Sequence, residues 1–264
     1  MNMIKMPVGV ININMGGSSI ISWISRERID SDKNAVEILK SYKRYETVKQ
    51  ALKDNFNNIP QIAIASNFNS KTYPLRRFRI KGAIWYQGSC DLTYGIKYGG
   101  YSCLFNLLQE EITQNFSYKN GLCPIVYSHL TAYGPFNNSL GSFNSEFSEM
   151  QKQKPESRTC ISVNDISLDY SNANLFSGAI HPTDKKTNGK RMAISARGLV
   201  HNKNKAYSVG VVKSAEIVRN SVFVTMDLIG DKIIKKGDTI FDGAVCGKDG
   251  VSIKKMLKLF QTIR

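Results

Sequence analysis

The sequence predicts an α/β fold on a mostly parallel sheet, followed by a small antiparallel β module, and two observations carry that prediction. Through the first 165 residues, short β-branched runs alternate with stretches of helical periodicity. After about His201 the helical periodicity stops, and short strand-like runs separated by turn residues take over. On this reading residues 1–203 form the α/β domain and residues 204–264 the β-rich module.

Each element follows from a local pattern. Val8–Ile13, Ile80–Tyr86, Pro124–Tyr127 and Thr159–Val163 are near-continuous apolar runs, as expected of strands covered on both faces. Ser31 and Asp32 are caps for a helix whose apolar side carries Val36, Leu39, Val48 and Leu52. Tyr101, Leu104, Phe105, Leu108, Ile112 and Phe116 recur at the helical period. A shorter helix is expected around Glu146–Lys152 and another around Lys185–Leu199. In the last third, Ala215–Val218, Ser221–Met226, Thr239–Phe241 and Val251–Ile253 read as short strands. Arg219-Asn220, Ile229-Gly230-Asp231 and Lys248-Asp249-Gly250 are the turn signals between them.

Bulk properties exclude several function classes. A chain of 264 residues buries a real core, and no apolar run approaches the ~20 residues that span a bilayer. The opening residues MNMIKMPVGVINI lack the apolar region and cleavage site of a signal peptide. Cys90, Cys103, Cys123, Cys160 and Cys246 form no CxxC pair, which argues against a disulfide framework or a zinc knuckle. His129, His181 and His201 lie far apart and show no metal-ligand spacing. The net charge is +15, and residues 185–264 hold 17 Lys/Arg against 6 Asp/Glu. Those cations alternate with apolar residues instead of clustering with aromatics, which argues against nucleic acid as the partner. Acidic glycans would feel the same field.

In open α/β sheets ligands gather at the carboxyl ends of the strands, so the residues following each strand matter most. Asn14-Met15-Gly16-Gly17-Ser18-Ser19 follows the first run, and Trp85-Tyr86-Gln87-Gly88-Ser89-Cys90-Asp91 follows the second. Ile180-His181-Pro182 opens the last helix of the domain. A backbone N–H at Gly17 and an amide at Gln87 suit a developing oxyanion, and an imidazole at His181 suits a general base. Taken singly, Gly16-Gly17 is a tight turn, Gln87 before Gly88 caps a strand end, and His181 before proline starts a helix. Their joint placement after strands and at a helix start points to acyl transfer.

The segments VGVININMGGSSIISWIS, RIKGAIWYQGSCD, IHPTDKKTNGKRMA, YSVGVVKSAEIVRNSVFVTMD and AVCGKDG together resemble the sialate O-acetylesterases, carbohydrate esterases of the SGNH hydrolase superfamily. The resemblance implies a flavodoxin-like three-layer fold and removal of O-acetyl groups from a sugar or glycan without a cofactor. It implies His181 as the base, and Gly17, Gln87 and Gly88 as the oxyanion and substrate-binding region.

The chain departs from that family pattern at three places. The GQSN-type segment that bears the family's nucleophilic serine precedes the Gly-Gly block, whereas only Met1–Pro7 precede Val8 here. The expectation is a sheet lacking its first, nucleophile-bearing strand, with a separate N-terminal segment as a candidate partner. Gly178 and Ala179 stand where an acidic partner of the histidine is expected, with Asp165 and Asp169 nearby. Ser89 replaces the glutamate of the WYQGE-type motif. Ser18, Ser19, Ser89 and Cys90 are the substitute nucleophiles to consider. Three readings follow: an esterase whose nucleophile lies outside this chain, a non-catalytic carbohydrate-binding relative, and a basic interaction protein.

Overall fold

Three parallel strands organise the chain in a computed structural model that describes residues 7–53, 60–117, 120–131, 139–164, 166, 181–201, 211–218, 221–227, 244–246 and 252–254. They are β1 (Ala83–Trp85), β2 (Ile125–Ser128) and β3 (Arg158–Ile161), in the order β1-β2-β3. The register pairs Ala83 with Ile125, Trp85 with Tyr127, Ile125 with Arg158 and Ser128 with Ile161. All eight residues of β2 and β3 are buried, which is why these runs read as continuous apolar stretches.

Alternation along the strands sorts their side chains into two cores. Ile125, Tyr127 and Cys160 face one cluster, packed by α5 (Gly100–Phe116) and α6 (Ser139–Gln153). The same cluster holds Ile29 of α1 (Arg26–Ser31), Leu39 of α2 (Lys33–Ser41) and the 3-10 turn Ile20–Trp23. Val126 and Ile161 face the other way, against Met192, Ala196 and Leu199 of α7 (Lys185–His201). Helices on both faces of a parallel sheet make the three layers that the sequence predicts. Tyr101, Phe105, Tyr127, Phe143 and Phe147 interlock with ring centroids 4.9–6.3 Å apart. Each such pair stabilises by about 0.5–1.5 kcal/mol beyond its area burial. The Tyr127 hydroxyl, enclosed among these rings, donates to Phe147 O at 2.7 Å.

Two sequence expectations need correction. Val8–Ile13 is not a strand: residues 7–15 join no ladder, and Val8 and Val10 are 67% and 84% exposed. β-branched composition favours a strand only where a partner supplies a ladder, and β1 stands at the sheet edge without pairing to this run. Ile13 and Met15 alone of this stretch pack on the core. The helix expected across Val36 to Leu52 is two helices, α2 and α3 (Val48–Lys53). The break falls where Lys43 adopts φ +59°, a left-handed conformation that ends α-helical geometry. The start of α2 agrees with the sequence, since Asp32 Oδ1 accepts from Ala35 N at 2.9 Å.

Helix α4 (Ser89–Thr93) follows β1 directly. In the last third, β4 (Val211–Val218) pairs antiparallel with β5 (Ser221–Asp227), and β6 (Ala244–Cys246) with β7 (Ser252–Lys254). The expected strand Thr239–Phe241 and the expected turns at 219–220, 229–231 and 248–250 lie outside the described residues.

Candidate active site

Gly16 and Gly17 form a turn, Gly17 at φ +67°, a conformation glycine adopts without strain. Gly17 is exposed, and no atom lies within 4 Å of where a Cβ would sit. The chain then plunges inward, and Ser18, Ser19 and Ile20 are all buried.

A network of neutral donors around one carboxylate fixes this turn to the end of β1. Gln87 donates both amide protons, to Ser18 O at 2.7 Å and to Asp91 Oδ2 at 2.6 Å. Its Oε1 accepts from the Tyr101 hydroxyl at 2.8 Å, which itself accepts from Trp85 Nε1 at 2.9 Å. Asp91 also accepts from Ser19 Oγ at 2.5 Å and from Ile20 N at 3.0 Å. Enclosure of Asp91 pushes its carboxyl above the usual range, while the bonds from Ser19, Gln87 and Ile20 pull it back down. Trp23 adds its indole N–H to Ser18 Oγ at 3.0 Å and stacks edge-on against Trp85, centroids 6.0 Å apart.

Gly88 is held by sterics. Its φ is +145°, and a Cβ there would lie 2.9 Å from Phe143 Cε1, so only glycine lets the loop turn into α4 against the aromatic core.

His181 sits exposed, one residue before the buried Pro182. Asp184 Oδ1 caps α7 by accepting from Thr187 N at 2.9 Å, and bonds from the Thr187 hydroxyl and then its N–H hold the Asp184 carboxyl below the usual range. Lys185 Nζ lies 5.6 Å from the Tyr86 ring centroid, so the start of α7 meets the residue that follows β1. The Gly17 turn and Gln87 therefore meet at the carboxyl end of β1, and α7 reaches the same end through Lys185. Asp165, Asp169, Gly178 and Ala179 lie outside the described residues.

The substitute nucleophiles are poorly placed. Ser18 and Ser19 are buried with their hydroxyls engaged by Trp23 and Asp91. Ser89 is half-buried in the first turn of α4, and burial pushes the Cys90 thiol up to about 12, far from a thiolate at neutral pH. A second imidazole stands at the end of β2: His129 Nε2 lies 3.0 Å from Ser148 Oγ. Burial lowers its pKa to about 4, so it is neutral at pH 7. Ser148 Oγ donates to Asn144 O one helical turn back, which marks the pair as packing polar groups in α6. Among the described residues, no three His, Cys, Asp or Glu side chains gather as a metal-ligand set.

Sequence reading named Gly17, Gln87, Gly88 and His181 as candidate site residues and did not name Asp91 or Tyr101 as members of this network. The available signal was spacing: Asp91 is four residues after Gln87, one turn along α4.

No protein-family model matches the chain. The sialate O-acetylesterase of Mus musculus is 22% identical over 244 residues, covering 83% of this chain and 44% of the relative. That of Homo sapiens is 21% identical over 259 residues, covering 92% and 46%. A crystal structure of a carbohydrate acetylesterase from Xanthomonas citri shares the fold, with TM-score 0.59 and 21% identity over 91% of this chain and 48% of the other. The chain thus spans about half the length of the proteins it matches. The motifs and the sequence relatives thus agree in likening the chain to the sialate O-acetylesterases, and its fold is that of a carbohydrate acetylesterase.

Proposed function

We propose that the chain forms the acyl-binding and proton-transfer side of a carbohydrate O-acetylesterase site. The observation that carries this reading is the bond pair from Gln87 to Ser18 O and Asp91, which docks the Gly17 turn on the end of β1. Gly17 presents its N–H to the developing oxyanion, and Gln87, its protons spent on the chain itself, positions that turn. Gly88 shapes the loop beside it. His181 takes the proton of an attacking hydroxyl and returns it to the departing sugar oxygen. The hydroxyl nucleophile is assigned to none of the described residues. Substrates are acetylated sugars or glycans, sialic acid among them.

A second reading, carbohydrate binding without turnover, is favoured by one observation: Ser18 and Ser19, next to the turn, are buried and engaged. Acetate release from p-nitrophenyl acetate and from an acetylated sialic acid, with His181→Ala as control, separates the two. His181-dependent release supports the esterase. Binding of the acetylated sugar without release supports the second reading, and neither release nor binding overturns both.

A further inference from the structure

The candidate site uses the carboxyl end of β1, and the segment entering its amino end has a different character. From Asp54 to Asp91 the intervening sequence has no acidic residue, yet it carries Lys71, Arg76, Arg77, Arg79 and Lys81. Tyr73–Leu75 is a 3-10 turn that starts the bend, followed by bonds from Arg76 N to Tyr73 O and Phe78 N to Leu75 O. The Arg76 guanidinium stacks on the Tyr73 ring at 3.8 Å. Arg79 Nη1 is braced on two carbonyls, Arg76 O at 3.2 Å and Asn115 O at 3.1 Å. Carbonyls fix a guanidinium without cancelling its charge, and none of Arg76, Arg77 and Arg79 enters an ion pair among the described residues. Between two of these arginines, Phe78 is 57% exposed, and Tyr73 is 46% exposed.

A solvated basic segment would carry flexible lysines and interspersed acids; this one carries braced arginines, the exposed Phe78 ring, the half-exposed Tyr73 ring under Arg76, and no acid. Planar guanidinium groups match carboxylates and sulfates in a bidentate manner, and exposed rings stack on the apolar faces of sugars. We propose that Tyr73, Arg76, Arg77, Phe78 and Arg79 form a docking surface for an anionic glycan, one bearing carboxylate or sulfate groups. The surface lies at the end of β1 opposite the candidate active site and holds a polymeric substrate while its acetyl groups are processed. The choice of a glycan rests on the carbohydrate-esterase reading above.

Fluorescence anisotropy of a labelled heparin oligosaccharide against the full chain tests this, with labelled single-stranded oligo-dT as competitor class. Arg77→Glu is the main variant because no described partner depends on Arg77, and thermal melting checks that it folds. Arg77→Glu and Phe78→Ser should each weaken heparin binding roughly 5- to 10-fold, and Arg77→Lys, which keeps the charge but loses the planar fork, should weaken it roughly 2- to 3-fold. Lys190→Glu, an exposed change of equal charge on α7, should alter binding far less. Equal losses in Arg77→Glu and Lys190→Glu would reduce the surface to a diffuse basic field and overturn the proposal. Tighter binding of oligo-dT than of heparin would also overturn it. Because these readouts need no turnover, failure of the esterase reading shows separately, as absent acetate release with heparin binding intact.

Discussion

Asp91 and His129 are both enclosed, and folding moves their protons in opposite directions. Folding raises the Asp91 pKa above 3.8, burial being the main cause, so the native chain keeps a proton that the unfolded chain loses. Its contribution is present at acidic pH and is lost as pH climbs through the raised folded value. An amide keeps the bonds across to the Gly17 turn: its oxygen accepts from Ile20 and Gln87, and its NH2 donates to Ser19 Oγ. Asp91→Asn should therefore raise the melting temperature at pH 7 and flatten its rise on mild acidification. Asp91→Ala leaves three buried donors without an acceptor and should cost about 3 kcal/mol, measured by urea unfolding. His129 runs the other way, its pKa falling from 6.5 to about 4. The unfolded chain takes up that proton first, so stability is lost as pH falls from 6.5 towards 4, by up to about 3 kcal/mol. Unfolding curves at pH 7 and pH 4.5 should show this loss in the native sequence and much less in His129→Gln.

Helices and strands were legible where the sequence supplied both composition and a partner. Ile125–Ser128 and Arg158–Ile161 emerge within a residue or two of their expected positions because both faces are covered. Val8–Ile13 has the same composition and no ladder, so composition misled. The break at Lys43 left no glycine or proline to mark it. What composition hides most is how buried acids on one element cap another. Glu146 of α6 accepts from Ser102 N at 2.6 Å in the first turn of α5. Glu111 of α5 accepts from Ser25 N and Ser25 Oγ ahead of α1, and from Arg28 Nε at 3.1 Å. A carboxylate at a helix N-terminus satisfies orphan N–H groups and meets the positive end of the dipole. The candidate site was partly legible because Gln87 follows β1 and His181 precedes α7; Gly17 was reached through a strand reading of Val8–Ile13 that the structure overturns, and the Tyr101 link needs α5 folded over β1. Gly88→Ala tests the steric account at this scale. The left-handed φ and the 2.9 Å approach to Phe143 predict a loss of about 2–4 kcal/mol, against well under 1 kcal/mol for Gly141→Ala, where nothing lies within 4 Å.

Across the whole molecule the sheet is unevenly covered. Ile84, in the middle of β1, is 62% exposed, and Val8, Val10 and Ile11 are exposed as well. Open edges and apolar faces favour association. The chain should self-associate at high micromolar concentration by light scattering after gel filtration, and Ile84→Lys should reduce this without lowering the melting temperature. A strictly monomeric native chain would count against that view. The same architecture sets an order of events in folding. The Ser19–Asp91 bond joins residues 72 apart in sequence, whereas α5 and α6 grow from contacts a few residues apart. Closing so long a loop is entropically slow, so the helices and the β2–β3 pair form first and the Gly17 turn docks late. Interactions made late scarcely affect the folding rate and chiefly restrain unfolding. The bonds that shape the candidate site thus act as the chain's kinetic lock: loosening them shortens the lifetime of the native state while leaving the speed of its formation almost unchanged.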